Sequence, residues 1–160
     1  MVLEVAGRWF VFEARGHENV RATHRSTFEV TREGHLTPRG DCIVGVSSEV
    51  GAAGLPEWLR EGLRRGWPVV VVLEAGGHVD AVAGWGDPRM TLEDPVRMVF
   101  RRSTYVGPET VMVRASKAAA HLSRGLVGAL RRGERLVVAM TVLDPSGLGL
   151  VGLDVEGVDA

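Results

Sequence analysis

Residues 57–73, EWLREGLRRGWPVVVVL, are echoed by residues 124–140, RGLVGALRRGERLVVAM. Seven of the seventeen positions coincide: Leu59 with Leu126, Leu63 with Leu130, Arg64 with Arg131, Arg65 with Arg132, Gly66 with Gly133, Val70 with Val137 and Val71 with Val138. Chance gives about one or two matches in a chain so rich in Arg, Val and Gly. Self-similarity at this period marks one supersecondary unit built twice and packed against its copy. Locally the stretch reads as a short helix running into a buried strand. Pro56 opens the helix, Leu55, Leu59 and Leu63 with Trp58 form its apolar stripe, Arg64 and Arg65 complement its C-terminal dipole, and Gly66 stops it.

Outward from this stretch, residues 9–15 are aromatic and β-branched, the composition of a strand. Residues 20–31 alternate through Val20, Ala22, Phe28 and Val30, as one long or broken half-exposed strand would. Residues 42–47 are a short apolar run, followed by the helix and the strand at 69–74. The second pass predicts strands at 79–85, 96–102, 109–114 and 136–143, with Ser116 capping a helix that runs to about Arg132. Each half therefore reads β-β-β-α-β, over 9–74 and 79–143, before a Gly- and Asp-rich tail at 144–160. The tail either adds an edge strand near Leu150–Val155 or stays loose. The expected fold class is mainly β with two helices (α+β), a single domain. Two tandem pseudo-symmetric units would form a β-sandwich of mixed sheets, or a flattened barrel, with the helices outside. The strand–helix–strand segments favour parallel flanking strands, and the short connections favour antiparallel pairing elsewhere.

Of the 160 residues, 45% are apolar and 24% charged, and the net charge is −1. A balance so close to neutral argues against a nucleic acid or an anionic membrane as an electrostatically held partner. One cysteine gives no disulfide framework and points to a reducing compartment. Glu4 and Arg8 interrupt the place where a signal peptide needs an apolar stretch, and the run Val69–Leu73 is far too short to cross a bilayer. A cytoplasmic protein is expected. Lys117 is the only lysine, Asn19 the only asparagine, and glutamine is absent. Either a heat-adapted (thermophile) host or GC-rich codon usage accounts for that composition.

Polar side chains gather in two segments, 16–27 (GHENVRATHRST) and 36–42 (LTPRGDC). The candidate ligand-binding residues are His17, Asn19, His24, Arg39 and Asp41. An offset of 70 sets His17 against Asp87 and His24 against Asp94, so two equivalent pairs of proton- or metal-handling groups stand at matched positions. If the pairs converge, a two-His, two-Asp cluster results; otherwise Asp87-Pro88 and Asp94-Pro95 are ordinary turns. Arg39 with Asp41 either fixes a carboxylate- or phosphate-bearing ligand or braces the turn at Gly40. Cys42 with a histidine and Asp41 spells a nucleophile–base set, yet it opens a buried run where a small hydrophobe is expected. His35, His78 and His121 show no partner and read as solvated. The match of residues 147–152 to G-x-G-x-x-G has no helix or second strand after it and is accidental. The tripeptide Arg39-Gly40-Asp41 is of no use to a chain lacking a secretory signal.

The string Thr37-Pro38-Arg39-Gly40-Asp41-Cys42, with the Gly-His-x-Asn stretch before it and Gly86-Asp87-Pro88 and Ala115-Ser116-Lys117-Ala118-Ala119 after it, resembles the archaeal family called domain of unknown function 371. The resemblance spans the whole chain and implies a cytoplasmic, mainly-β archaeal protein, without implying an activity. It also implies histidine where this chain has Asp87 and Asp94, so that a strict histidine metal site is not expected here. Two functions follow from the residues. One is a non-catalytic module binding a small ligand or a protein through the 16–27 and 36–42 surface, with no cofactor. The other is a metal-dependent or acid–base hydrolase using His17, His24, Arg39 and Asp41.

Overall fold

Inward-facing alternation and the two leucine stripes build the elements. The computed structural model describes residues 7–146; the tail strand expected near Leu150–Val155 lies outside the described residues. Ten elements follow one another: β1 Phe10–Arg15, β2 Thr27–Thr31, β3 Ile43–Gly45, α1 Glu57–Arg64, β4 Pro68–Ala75, β5 His78–Trp85, β6 Arg97–Arg101, β7 Thr110–Met112, α2 Arg124–Arg131 and β8 Arg135–Val142. A single 3₁₀ turn precedes each helix, at Ala52–Gly54 and at Ala119–His121. The order β-β-β-α-β thus occurs twice.

Among the described residues the strands form two four-stranded sheets and no closed barrel. One sheet, ordered β1-β8-β4-β5, is antiparallel throughout. The other, ordered β3-β2-β6-β7, is mixed: β2 and β6 run antiparallel, while β3 and β7 lie parallel to β2 and β6. Phe12, Leu136, Val138, Val71 and Leu73 from the first sheet meet Phe28, Val30, Met98, Phe100 and Met112 from the second in one core, closed by Leu59, Leu63, Leu126 and Leu130 of the helices. Phe28 lies opposite Phe100 in the β2–β6 register, their rings stacked at 4.3 Å and 7°. Such a pair adds about 0.5–1.5 kcal/mol beyond its buried area.

Three expectations are corrected. Residues 20–26 are not strand: Ala22 has a φ of 50°, and the N–H groups of Thr23 and His24 turn to the carbonyl of Asp41 rather than to a ladder. Val20 and Ala22 are still fully buried, so the apolar alternation was packing without pairing. The strands flanking each helix do not pair either. The helix carries the chain from one sheet to the other, and the parallel pairs are β2–β3 and β6–β7, where antiparallel pairing was expected. Finally, α2 starts at Arg124 with Ser123 as its cap, its hydroxyl accepting from the Leu126 N–H. Ser116 guards a sheet edge instead.

Both edges of the antiparallel sheet are closed in the same way. On β1, Arg15 and Val46 exchange backbone bonds of 2.8 Å, and the Glu49 carboxylate accepts the Glu13 N–H. On β5, Trp85 and Val113 exchange bonds of 3.0 and 2.9 Å, and the Ser116 hydroxyl accepts the Ala83 N–H at 3.1 Å. These bonds satisfy edge groups at the glycine end of each strand that would otherwise template aggregation. Each of these strands then ends on a glycine. A Cβ at Gly16 would stand 2.0 Å from the Leu130 carbonyl oxygen, and one at Gly86 would stand 2.1 Å from that of Leu63. Backbone, not a flexible side chain, blocks both positions.

Lys117 pairs with Asp80, whose other bonds come from the N–H groups of Ser123 at 2.8 Å and Ala81 at 2.8 Å. Burial pushes the Asp80 carboxyl up, but the Lys117, Ser123 and Ala81 hydrogen bonds outweigh it and hold the group below its usual value. A depressed carboxyl stabilises the fold fully above the ordinary Asp range and loses that contribution on acidification.

Gly86→Ala is expected to destabilise the protein by about 1–3 kcal/mol or more, whereas Gly128→Ala, on a helical face with nothing nearer than Arg132 at 3.6 Å, is expected to gain about 0.5–1 kcal/mol. Urea unfolding of the two variants reads the opposite signs. Asp80→Asn is expected to lose about 1–3 kcal/mol at pH 7, and its deficit against the parent should shrink as the pH falls below about 4.

Candidate functional site

The two polar segments are laced together by backbone and side-chain bonds. Asn19 Nδ2 donates to the Leu36 carbonyl at 2.7 Å, and the N–H groups of Thr23 and His24 share the Asp41 carbonyl at 3.1 and 3.3 Å. Gly40 closes a turn onto the Thr37 carbonyl at 3.0 Å, presenting Pro38 and exposed Arg39 outward. Of the five candidate residues, Asn19, His24 and Asp41 therefore belong to this lacing. His17 is tied to Asn19, and Arg39 stands on the turn beside them. The connection from β2 to β3 spans residues 32–42, eleven residues, against eight (102–109) from β6 to β7. The first half thus carries three extra residues in the connection that holds Pro38-Arg39-Gly40.

The histidines act first as turn acceptors. His17 Nδ1 accepts the Asn19 N–H at 3.0 Å; His24 Nδ1 accepts the N–H groups of Ser26 and Thr27 at 3.2 and 3.1 Å. At the matched positions, Asp87 Oδ1 accepts the Arg89 N–H at 2.8 Å, and Asp94 Oδ1 accepts those of Val96 and Arg97 at 2.8 and 2.9 Å. Imidazole and carboxylate do the same work in the two halves. The two-His, two-Asp cluster is consequently not formed. Among the described residues no group of three or more His, Cys, Asp or Glu side chains is arranged to hold a metal ion.

His121 is exposed, as a solvated side chain would be, yet it has a partner and belongs to this set. Its Nδ1 accepts the Ala118 N–H at 3.0 Å. An imidazole that accepts at Nδ1 carries its proton on Nε2. In that state Nε2 donates, and it offers no lone pair to a metal ion or to a proton.

Charge gathers around the same corner. Arg21, Arg25 and Arg39 make no ion pair within 4.0 Å among the described residues, and Arg39 does not pair with Asp41, so the bracing pair expected at Gly40 is not made. The second half contributes too. Arg102 N–H donates to the Ser26 carbonyl at 2.8 Å, Ala120 N–H donates to that of His24 at 2.9 Å, and Arg124 reaches the Ala22 carbonyl at 3.2 Å. At the matched corner Arg21, Thr23, His24 and Arg25 are replaced by Thr91, Glu93, Asp94 and Pro95.

A second polar array escaped the sequence reading. Glu29, 5% exposed, is gripped by Arg97 through two bonds of 3.0 and 2.9 Å. Arg97 also faces Glu109 at 3.8 Å, and Arg101 bonds Glu109 at 3.1 Å and Thr110 at 2.9 Å. The Glu29 bonds raise the Arg97 guanidinium above its ordinary value despite the opposing effect of burial. Cys42 lies against this array, its Sγ 3.9 Å from Glu29 Oε1. Burial, then the Glu29 charge, pushes the Cys42 thiol up, the opposite of an activated nucleophile. Only one signal for this array was legible: Thr27, Glu29 and Thr31 alternate on one face of β2, with Arg97 and Arg101 across the ladder.

The family model described as a domain of unknown function (DUF371) matches residues 12–143. An uncharacterised protein of Methanocaldococcus jannaschii, MJ0206, is 37% identical over 133 residues, covering 83% of this chain and 98% of the relative.

If His24 serves the turn alone, His24→Asp should match the parent in stability to within about 0.5 kcal/mol, while His24→Ala should lose about 1 kcal/mol. Thermal unfolding of the two variants side by side checks this; equal losses would contradict the turn role.

Proposed function

The chain belongs to the DUF371 family, and we propose that it is a non-catalytic binding module whose surface at 16–27 and 36–42 takes a small anionic ligand through His17, Asn19, His24, Arg39 and Asp41. Asn19 and Asp41 hold the two segments in place, His17 and His24 donate, and Arg39 supplies charge. The observation that carries this reading is the donor character of the corner: imidazoles held as Nε2–H groups stand among arginines with no carboxylate partner. Imidazole donors beside arginines that make no ion pair among the described residues, on segments whose carboxylates are Glu18 and Asp41, suit an anion. The three extra residues around Arg39 support it further, because the other half builds the same connection without them.

We also infer that the chain is two copies of one unit, 9–74 and 79–143, and that only the earlier copy acquired this surface. The repeated element order, the paired glycine approaches at Gly16 and Gly86, and the matched φ values at Ala22 and Leu92 (50° and 54°) support the duplication. A reducing cytoplasm is the setting we infer from the single cysteine. No described helix is long and apolar enough to cross a membrane. The hydrolytic alternative asks His17 or His24 for a base or a metal ligand, and an imidazole protonated on Nε2 supplies neither there.

Calorimetric titration with phosphate, pyrophosphate, sulfate and citrate tests the reading. Binding is expected for at least one anion, weakened about tenfold (~1.4 kcal/mol) by the His17→Ala/Arg39→Met double variant. No binding across the series, or binding indifferent to that variant, would overturn it.

A further inference from the structure

At the exposed rim of the same corner, one pair of side chains is electronically mismatched. His121 Nε2 lies 3.4 Å from Arg102 Nη1. An arginine nitrogen only donates. The His121 ring could accept from it only by carrying its proton on Nδ1, yet Nδ1 is already the acceptor of the Ala118 N–H at 3.0 Å. One ring cannot satisfy both donors, and the shorter bond, to the backbone of the 3₁₀ turn, decides the tautomer. Two solvent-exposed donors, His121 Nε2–H and Arg102 Nη1–H, then face one another, and neither accepts from the other.

Their contacts run to the backbone of basic residues. Arg102 Nη1 leans on the Arg25 carbonyl at 3.5 Å, and its backbone N–H holds Ser26. The turn carrying His121 is tied to His24 through the Ala120 N–H. His24 presents a further Nε2–H, because its Nδ1 is engaged by Ser26 and Thr27. Arg25 and Arg102 make no ion pair among the described residues. The carboxylates on the two laced segments are Glu18 and Asp41.

We propose that His121 and Arg102, with His24 and Arg25 beside them, form a subsite for a tetrahedral oxyanion of the phosphate class. Its oxygens accept from both donors at once, in the place of solvent water. The subsite rests on the anion-binding reading above, adds two residues from the second half of the chain, and places the anion against the Ala119–His121 turn rather than at Arg39. Free phosphate and a phosphomonoester share this chemistry.

The test is a titration of the ¹⁵N-labelled full chain with inorganic phosphate and, separately, with a simple phosphomonoester. It is followed by long-range ¹H–¹⁵N spectra of the imidazoles and by calorimetry. The expected result is an Nε2–H tautomer at His121, saturable shifts at its Nε2 and at the Arg102 guanidinium, and an affinity lowered at least tenfold by Arg102→Met or His121→Phe. Arg102→Lys, which keeps the charge, should retain part of the affinity, and unfolding curves establish that each variant is folded. Preference for the monoester would assign the anion to a phosphorylated ligand; equal affinity would assign it to phosphate itself. An Nδ1–H tautomer at His121 would overturn the subsite. So would shifts that chloride reproduces at equal ionic strength, or binding unchanged in Arg102→Met and His121→Phe. Phosphate binding that depends on His17 and Arg39 but not on Arg102 would remove the subsite and leave the broader reading standing. No anion binding at all would remove both.

Discussion

Neither half of this chain owns a sheet. β1 pairs with β8, β5 pairs with β4, and the central pairs β4–β8 and β2–β6 each join one half to the other. The stacked rings of Phe28 and Phe100 sit on one of those central pairs. Separating the halves would strip both sheets of their middle ladders and expose the shared core at once. Every other feature is placed by this constraint. The helices close the core, the glycine-tipped strands run up against the helix ends, and the corners between the two sheets fall where β1 and β5 finish.

At those corners the polar chemistry collects, for a physical reason. A ladder consumes backbone groups, whereas a corner must satisfy them by other means. Glu49, Ser116, His17, His24, Asp87 and Asp94 all accept hydrogen bonds from backbone N–H groups through a side-chain oxygen or nitrogen. A carboxylate and an imidazole serve equally as acceptor but differ on their far side. Asp87 and Asp94 turn more acceptor outward, and Asp87 recruits Arg89 at 3.0 Å. The histidines turn a donor outward. The same turn-closing task is thus met by imidazole in one half and by carboxylate in the other.

The Glu29–Arg97–Glu109–Arg101 array shows a different economy. Strand β2 is buried along its whole length, so its outward side chains cannot remain free charges. Glu29 is tolerated because Arg97 reaches it with two hydrogen bonds across the ladder. Cys42 fills the space beside that carboxylate, where a neutral thiol costs little and a thiolate would be repelled.

How much of this was legible varies with the range of the interaction. The leucine stripes, the glycine stop at Gly66 and the α+β class depend on periodicity and local propensity, and the sequence pattern carries them unaided. Placing polar interest on 16–27 and 36–42 needed composition alone. The sequence could not show which strands pair, because parallel and antiparallel partners present the same alternation; hence the helix was wrongly read as linking neighbours in one sheet. Nor could it separate a buried loop from a strand at Val20 and Ala22, since burial without pairing leaves the same apolar alternation. The roles of His121, Arg102, Glu29 and Arg97 depend on contacts between residues 19 to 77 positions apart. Only the folded chain brings such residues together, and only there does a hydrogen bond at one ring nitrogen determine what the other can offer.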